Sequence, residues 1–475
     1  MTELHELPAA AQLAALRRRE FSSRELTAHY LDRIGRLDGE LGAFVTLTAE
    51  SALEDADRAD AELAAGQTRP LLGLPFGIKD LSATAGVRTT LGSAAMAGYV
   101  PEADCWTVRL LRESGIVLLG KTNTPELGSA CYTENKVTAR PSATPYAAGH
   151  YSSGSSGGAA TAVAAGLLPL AHGSDGAGSI RTPAAACHLV GVKPSRGLVS
   201  MAPATTYFSA GVDGPIARTV EDAALMLDVI GHAHPGDLYG WDSGGSFTDA
   251  VAQPPGRPLR IAMWTETGVD GVEAHPEAVR AARHAAGLLR AQGHQVEEIG
   301  IPARFDAATR QAVLHMFGAS IATAVRTMLP PGSRDLLTPH NTHLLSVGER
   351  LSGTDTVVFQ NTLARYSSTL LAALAEFDFA LTPTTNGPPV PFGHYDAQGP
   401  DHVVDRMLAW SCHTPWANFT GVPAVAMPSH LDENGMPHGF QLVGHQRQDA
   451  RLLALAAALE SAGPHTDVHP PCWRD

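Results

Sequence analysis

The chain has 475 residues, of which 44% are hydrophobic and 17% charged, a balance typical of a globular protein with a large core. Its formal net charge of −14 argues against nucleic acid or an anionic membrane surface as the partner, because binding phosphate requires concentrated Lys and Arg. The N-terminus carries no basic leader followed by an apolar segment, and the five cysteines are scattered without a CxxC pair. We therefore expect a cytoplasmic protein with reduced thiols.

The first 65 residues are predicted to be mainly helical. Ser22 and Glu25 have the spacing of a capping box, and the apolar residues that follow recur at helical intervals. Residues 74–80 (LPFGIKD) predict a buried strand with Lys79 near its end, and residues 116–119 predict a second strand.

Two loops rich in Ser and Gly come next, and each leads into a predicted helix. Residues 149–158 form the first loop, which runs into an Ala-rich helix over residues 159–165. Residues 167–171 predict a strand, and residues 172–179 (HGSDGAGS) form the second loop. Ser179 then opens another helix.

The rest of the chain continues to alternate between helices and strands. Thr219 begins a predicted helix that ends near Ile230, and residues 232–257, rich in Gly, Pro and Asp, predict a surface excursion rather than a linker. A strand, a helix and a strand are predicted after it, over residues 259–264, 273–292 and 295–299. This alternation favours an α/β layered fold around one sheet.

The two loops supply the features that acyl-transfer chemistry needs. Each brings a serine to a helix N-terminus, where backbone N–H groups are unpaired, and Ser155 and Ser179 are 24 residues apart. The run from 176 to 179 has little side-chain bulk, so successive amides can point into one small volume. Such an arrangement is an oxyanion hole, formed here by the backbone amides of Gly176, Ala177, Gly178 and Ser179.

A serine hydroxyl attacks poorly unless another group accepts its proton. No histidine near either loop has a recognisable triad spacing, whereas Lys79 follows an apolar strand, where desolvation lowers the pKa of an amine. Lysine is rare in this chain, with four residues in all, and unlike arginine it can be deprotonated when buried. Lys79 is therefore the candidate base.

Ordered motifs along the chain resemble those of the amidase signature family. They are GIKD (77–80), GSSGG (154–158), SDGAGSIRTP (174–183), CHLVGVKPSRG (187–197), GPIARTVEDAALMLD (214–228), LTPTT (381–385), NFTGVPAVAMP (418–428) and GFQLVG (439–444). The resemblance implies an α/β fold with a large twisted mixed β-sheet flanked by helices on both faces. It implies one domain over 1–475, with a helical N-terminal part (1–65), a signature core (70–230), the excursion (232–257) and a remainder (258–475) that holds the pocket helices.

The resemblance also implies roles for individual residues in the hydrolysis of a carboxylic amide. By motif position, Ser179 is the nucleophile, Ser155 is the bridging serine and Lys79 is the base, acting through Ser155. A cis peptide bond is expected between Gly154 and Ser155. Ser156 is expected to support the site without entering the proton relay.

Asp175 and Arg181 are expected to brace the second loop by hydrogen bonds. The chain departs from the family pattern at Ser153 and Ala177, since the family usually has Gly at both places. The Ala-Gly-Ser run is similar to that of lactam-oligomer hydrolases, so the resemblance favours the branch of general amidases and lactam-oligomer hydrolases. These departures concern the substrate and leave the triad unchanged.

Three other interpretations fit parts of the sequence. Residues 115–122 (GIVLLGKT) match the P-loop pattern of a nucleotide-binding protein, but IVLL is typical of a buried strand rather than a phosphate loop. The GSSGG segment also matches the nucleophile elbow GxSxG, with Ser156 as nucleophile, but residues 146–150 before it are a poor strand. An amidotransferase subunit that needs a partner chain is the third.

The sequence contains no HExxH pattern or other metal-ligand spacing among its 21 histidines, and the proposed chemistry needs no metal or organic cofactor. The expected partner is a small-molecule amide, and a homodimer is a possible assembly. Five residues are candidates for lining the acyl pocket, with packing in the core as the alternative for each: Phe208, Met316, Phe317, Trp410 and Cys412.

Overall fold

In the computed structural model, which describes residues 3–204 and 210–475, one mixed sheet runs through the described chain. Its strands are β1 (Phe44–Leu47), β2 (Pro75–Lys79), β3 (Val117–Thr122), β4 (Leu170–Asp175), β5 (Val190–Lys193), β6 (Val212–Ala217), β7 (Arg260–Met263), β8 (Gln295–Glu298), β9 (Phe379–Pro383), β10 (Ala424–Leu431) and β11 (Pro437–Val443). Their order is β1-β3-β2-β4-β6-β5-β10-β11-β9-β7-β8. β2 is parallel to β3 and β4, and β7 is parallel to β8 and β9.

Helices cover both faces of this sheet. The α-helices of the described residues are α1 (Ala9–Arg18), α2 (Ser23–Leu41), α3 (Ala49–Ala64), α4 (Trp106–Glu113), α5 (Gly157–Ala164), α6 (Arg181–Ala186), α7 (Val220–Ile230), α8 (Phe247–Val251), α9 (Pro276–Ala291), α10 (Ala307–Thr327), α11 (Pro339–Glu349), α12 (Gly353–Leu374), α13 (Val403–Ser411), α14 (Pro415–Thr420) and α15 (Asp449–Ala462). The mixed α/β fold expected from the resemblance is confirmed.

The period-2 alternation of side chains along each strand divides the apolar residues between the two faces. In β3, Leu118 joins a core formed with α4, α7, α9 and α15, whereas Val117 and Leu119 join a core formed with α2, α3 and α5. A third core lies against β7, β9 and β10, under α10 to α14. The inner strands are therefore buried on both sides, which explains the mainly apolar sequences of strands such as β2 and β9, whereas β8 at the end of the sheet is largely exposed.

Several local predictions are confirmed. The Ser22 side chain accepts from the backbone N–H of Glu25 and completes a capping box on α2. Thr219 caps α7 in the same way. The predicted strands at residues 74–80 and 259–264 correspond to β2 and β7.

Two local predictions were wrong. β1 lies inside the segment predicted to be helical, where it pairs with β3. Residues 172–175 were predicted as loop but belong to β4, because their backbone pairs with β6 from His172↔Pro215 to Asp175↔Val212. In both cases long-range pairing satisfies the backbone and overrides the local composition.

The P-loop interpretation does not hold, because most of the segment is strand. Residues 117–122 form β3, and Lys121 is fully buried with its amine on three acceptors of the neighbouring loop: Ser82 O at 2.5 Å, Thr84 Oγ1 at 2.6 Å and Thr89 Oγ1 at 3.1 Å. Lys121 therefore fixes that loop to the sheet and is not free to bind phosphate.

The excursion over residues 232–257 is mostly exposed and carries the short helix α8, whose Phe247 is buried against the domain. Among the described residues, none of the helices has the length and apolarity to cross a bilayer.

Gly158 was predicted to end the first Ser/Gly loop but lies in the first turn of α5, where the helix packs too closely for a side chain. A Cβ at this position would lie 2.3 Å from Asn123 N and 2.5 Å from Ala43 O, and these backbone atoms are joined to each other by a hydrogen bond. Side-chain rearrangement cannot relieve contacts with backbone atoms. The motif therefore requires glycine here to bring α5 against β1 and the end of β3.

We predict that Gly158→Ala destabilises the protein by about 1–3 kcal/mol, because the added methyl overpacks this contact. The thermal unfolding midpoint should fall clearly. Gly35→Ala is the control: Gly35 lies within α2 with nothing within 4 Å of the new methyl. It should leave the midpoint unchanged or raise it, since alanine is the better helix former by about 0.5–1 kcal/mol. Equal midpoints for the two variants would contradict this account.

Candidate active site

Lys79 is the last residue of β2, and its side chain lies near the C-terminal end of the neighbouring strand β4. β2 and β4 are parallel, with Gly77 paired to Ala171, so the C-terminal end of β2 at Lys79 lies beside the C-terminal end of β4 at Ser174 and Asp175. Ile78 faces the opposite core, and Lys79 therefore points to the side that carries α5. Its side chain is completely buried.

The amine of Lys79 is surrounded by serines. Its Nζ lies 2.7 Å from Ser155 Oγ and 2.8 Å from Ser156 Oγ. Ser174 supplies two more contacts, through its carbonyl oxygen at 3.1 Å and its Oγ at 3.0 Å. The structure thus brings Lys79 together with Ser155 and Ser156, which lie 76 and 77 residues further along the chain.

Burial lowers the pKa of Lys79 from its usual value near 10.5 to about 7. The opposing influences are the carboxylates of Asp213 and Asp175, which favour the charged amine and raise the pKa, but desolvation prevails. A substantial fraction of this amine is therefore neutral at physiological pH, and only the neutral form can accept a proton.

The first Ser/Gly loop places the hydroxyl of Ser155 against the Lys79 amine. The Gly154–Ser155 peptide bond is cis, as the resemblance implied. Ser155 is buried, with 3% of its surface exposed. The backbone N–H of Ser156 donates to the carbonyl of Ser179 at 3.2 Å, so the two loops are in direct contact.

Ser179 lies in the turn between β4 and α6 and is partly exposed, whereas Lys79 and Ser155 are buried behind it. Its hydroxyl makes no hydrogen bond within residues 3–204 and 210–475. Ser155 Oγ contacts Lys79 but not Ser179 within that same part of the chain. The expected relay thus has its hydrogen bond between Lys79 and Ser155, and the Ser179 hydroxyl has no partner among the described residues that would compete with a substrate.

Asp175 organises the second loop from inside the protein. Its carboxylate accepts from the backbone N–H of Gly178 at 2.6 Å and of Ile180 at 3.1 Å. Arg181 donates to it through Nε at 3.0 Å and Nη2 at 3.1 Å, and both side chains are fully buried. Burial alone would raise the pKa of Asp175, but the charge and hydrogen bonds of Arg181 hold it well below its usual range.

The hydrogen bond from Gly178 corrects one part of the predicted oxyanion site. Because its N–H is donated to Asp175, Gly178 cannot donate to a substrate oxygen in this conformation. The N–H groups of Gly176, Ala177 and Ser179 make no hydrogen bond among the described residues. Three of the four predicted donors therefore remain available beside the Ser179 hydroxyl.

Several residues of the site were missed by sequence reasoning. Asn418 Nδ2 donates to both the carbonyl and the carboxylate of Asp175, at 2.9 Å each, and Asn418 Oδ1 accepts from Arg181 at 2.6 Å. Gln441 accepts from Arg181 at 2.9 Å. Asn418 lies in the motif NFTGVPAVAMP and Gln441 lies in the motif GFQLVG. A polar residue within a mainly apolar motif is the sequence signal that could have identified each of them.

Of the proposed pocket residues that the structure describes, Cys412 belongs to one apolar core, and Met316 and Phe317 of α10 are only partly buried against it. Trp410 is buried in α13, and its indole N–H donates to Pro388 O at 2.9 Å. Phe208 lies outside the described residues. Contact of these residues with a ligand stays a prediction.

Within the described chain, one group of side chains has ligand atoms close enough to hold a metal ion, and it is not at this site. It consists of Glu3, His5 and His29, near the N-terminus, where His5 Nδ1 lies 3.0 Å from His29 Nε2 and Nε2 of His5 lies 3.0 Å from Trp473 O. These contacts are accounted for by hydrogen bonds between neutral rings.

Comparisons with known proteins agree with the geometry. The model of the family described as Amidase matches residues 25–453. The AmiA2 protein of Mycobacterium tuberculosis is 37% identical over 467 residues, which span 97% of this chain and 94% of that protein. The structure of 6-aminohexanoate cyclic dimer hydrolase complexed with substrate superposes with a TM-score of 0.90 at 28% identity, covering 99% of this chain and all of that one. A bacterial aryl acylamidase gives 0.89 at 27% identity, covering 98% of each.

The chain therefore belongs to the amidase signature family. Its fold and its family define it as an amide hydrolase.

We predict that Arg181→Met destabilises the protein by about 3–5 kcal/mol, because it leaves the buried carboxylate of Asp175 without its charged partner. Thermal unfolding measures the loss. Arg36→Met is the control, since Arg36 pairs with Asp32 on the surface of α2 at 3.0 Å and both side chains are largely exposed. A midpoint for Arg181→Met as high as that for Arg36→Met would refute the bracing role.

Proposed function

We propose that the chain hydrolyses a carboxylic amide by a Ser-Ser-Lys relay in which Ser179 is the nucleophile. The observation that carries this proposal is the fully buried amine of Lys79 at 2.7 Å from Ser155 Oγ, directly behind the loop of Ser179. No other lysine in the described chain contacts both a serine of the first loop and the end of β4.

In the acylation half-reaction, neutral Lys79 takes the proton of Ser155 while Ser155 takes the proton of Ser179. The freed Ser179 Oγ forms a bond to the amide carbonyl carbon, and the carbonyl oxygen becomes an oxyanion. The amides of Gly176, Ala177 and Ser179 stabilise that charge, which exists only in the transition state and intermediate. The C–N bond then breaks, and the relay returns its proton to the leaving amine.

In the deacylation half-reaction, water attacks the acyl-enzyme. Its proton passes through Ser155 to Lys79, and the same amides hold the second oxyanion. Collapse of that intermediate breaks the ester bond, returns the proton to Ser179 Oγ and releases the carboxylic acid. The protein ends the cycle in its starting state, and the chemistry needs no cofactor.

The remaining polar residues support this machinery. Ser156 Oγ accepts from the Ser174 N–H at 3.2 Å while contacting Lys79, which fixes the position of the amine. Asp175 and Arg181 hold the loop of Ser179, as their buried hydrogen bonds indicate. The partner is a small-molecule amide, and a cytoplasmic location fits the reduced, scattered cysteines.

The substrate is to be found among linear, aryl and lactam amides. The cyclic dimer hydrolase that the chain resembles supplies one starting compound, the 6-aminohexanoate cyclic dimer. The aryl acylamidase supplies a compound class, N-acylated aryl amines, for which we choose 4-nitroacetanilide as the second starting compound. An amidotransferase subunit, the alternative function, would hydrolyse such amides weakly alone and would need a partner chain for full turnover.

We predict that a fluorophosphonate labels Ser179, because it is the hydroxyl that the relay activates. Mass spectrometry of the labelled peptide locates the adduct. Ser179→Ala should abolish labelling and lower amide turnover by more than about 10⁴-fold. Ser155→Ala should slow labelling without moving it.

Ser461→Ala is the matched control, since Ser461 lies on the exposed surface of α15 and contacts only the Ala457 carbonyl in the described chain. It should label and turn over at the wild-type rate. Wild-type labelling at another serine, or turnover that survives Ser179→Ala, would falsify the assignment of the nucleophile.

We predict that kcat/KM for an uncharged amide rises about tenfold per pH unit below pH 7 and levels off above it. Lys79 accepts a proton only when neutral, and its pKa of about 7 sets where the neutral form becomes dominant. The rate therefore falls as the pH is lowered, because the protonated amine cannot act as a base. The rate of fluorophosphonate labelling should follow the same limb, which separates the titration of Lys79 from that of any substrate. A flat profile down to pH 5 would contradict the role of Lys79.

A further inference from the structure

The peptide unit between Ala177 and Gly178 is held at both of its polar ends. Thr414 Oγ1 donates to the carbonyl oxygen of Ala177 at 2.8 Å. On the other end, the N–H of Gly178 donates to Asp175 Oδ1 at 2.6 Å. Because a peptide unit is planar, two anchors on opposite ends fix its rotation about the chain axis.

We propose that Thr414 is a positioning residue for the oxyanion site, which holds the Ala177 carbonyl away from the substrate. This inference rests on the proposed function of the loop. Ala177 and Ser179 donate from the peptide units on either side of the anchored one. If the anchored unit rotated, a carbonyl oxygen would turn toward the partly exposed side of the loop and present negative charge where the oxyanion forms.

The packing around Gly178 supports a specific role for the hydroxyl. Gly178 has φ +131°, and a Cβ built on it would lie 2.2 Å from Thr414 Oγ1 and 2.8 Å from Thr414 Cβ. The Thr414 side chain therefore occupies the space that any side chain at 178 would need. Glycine at 178 serves both the backbone conformation and the approach of this hydroxyl.

Thr414 is itself firmly placed. It is completely buried at the N-cap position of α14, and Asn418, one turn later, donates to the Asp175 carbonyl and carboxylate. Gln441 of β11 donates to the carbonyl of His413, the residue before Thr414. One short segment of the C-terminal half thus anchors the loop of Ser179 at two successive points.

A purely structural role is the competing explanation. Thr414 Oγ1 also lies 3.0 Å from the carbonyl of Ser411, so its single hydrogen could serve the local turn instead. The two roles differ in what they stabilise. Capping the turn affects the stability of the fold, whereas orienting Ala177 affects the transition state and leaves the binding of substrate nearly unchanged.

The test compares Thr414→Val with Thr414→Ser, using whichever of the two starting amides the wild type hydrolyses faster. Valine keeps the shape and removes the hydroxyl, and serine keeps the hydroxyl. We expect Thr414→Val to lower kcat by about 10-fold or more, which is a smaller loss than the about 10²–10³-fold expected from removing an oxyanion-hole donor outright. KM should stay within about 2-fold of the wild-type value. Thr414→Ser should stay within about 3-fold of the wild type.

A trifluoromethyl ketone supplies the second readout, because its adduct with a serine places an oxyanion in the same site as the reaction does. Its inhibition constant for Thr414→Val should rise by about the same factor as kcat/KM falls, as expected for a transition-state analogue. Wild-type kcat in Thr414→Val overturns the proposal. So does a loss confined to the unfolding midpoint or to KM.

The proposed function is checked separately by fluorophosphonate labelling of the wild type. Absence of a label on Ser179 defeats the nucleophile assignment, whereas a labelled wild type with a fully active Thr414→Val defeats only the role of Thr414. If the valine variant does not fold, Thr414→Cys replaces it, since a thiol is a weak donor of similar size. It should show the same split between kcat and KM, and wild-type kcat in that variant would equally overturn the proposal.

Discussion

The buried ion pair between Asp175 and Arg181 is the contact on which the geometry of the site depends. Asp175 ends β4 and receives the backbone N–H groups of Gly178 and Ile180, so one carboxylate determines how the chain turns into α6. Arg181, in the first turn of that helix, neutralises the carboxylate and reaches Asn418 and Gln441. A buried charge without these partners would lower the free energy of unfolding by several kcal/mol. The pair therefore holds the loop of Ser179, α6 and the C-terminal segments that carry Asn418 and Gln441 in one arrangement.

That arrangement also sets which polar groups remain free. The small side chains of this loop leave its backbone N–H groups accessible, and Asp175 accepts from those of Gly178 and Ile180. The N–H groups of Gly176, Ala177 and Ser179, together with the Ser179 hydroxyl, are left without a partner among the described residues, on the partly exposed side of the loop. Unsatisfied donors beside the proposed nucleophile are unfavourable in the resting protein, but they would become favourable when negative charge develops on a bound carbonyl. The hydrogen bonds that stabilise the fold thus leave these donors available for the proposed reaction.

Much of the fold and the centre of the site could be predicted from the sequence, because they depend on local signals. Lys79 was found because it ends an apolar strand, and Ser155 and Ser179 because each sits in a short, distinctive motif. The failures share a physical cause. β1 and the strand character of residues 172–175 depend on pairing with distant strands, and the local composition of both segments is typical of other structure. The contact of Asp175 with Asn418 joins residues more than two hundred positions apart, which the sequence does not reveal. The hydrogen bond from the Gly178 N–H to Asp175 depends on the direction of the Asp175 side chain, which the spacing of residues does not specify.

Three buried lysines show that a lowered pKa alone does not single out Lys79 as the proposed base, so the proposal rests on geometry. Burial lowers the pKa of Lys193 to about 7 and of Lys121 to about 8, close to the value of about 7 for Lys79. Lys193 donates to the carbonyl of Pro194 at 2.8 Å, and Lys121 is committed to the loop over residues 82–89. A carbonyl oxygen has no proton to give, so the contact of Lys193 offers none. The amine of Lys121 does lie against two hydroxyls, those of Thr84 and Thr89, but neither belongs to a Ser/Gly loop. Among the three lysines, Lys79 is the one whose amine lies against the hydroxyls of the first Ser/Gly loop, next to the end of β4. Desolvation makes each of these amines a weaker base that is more often neutral, and the position of Lys79 supports the proposal that it accepts the proton of the serine relay.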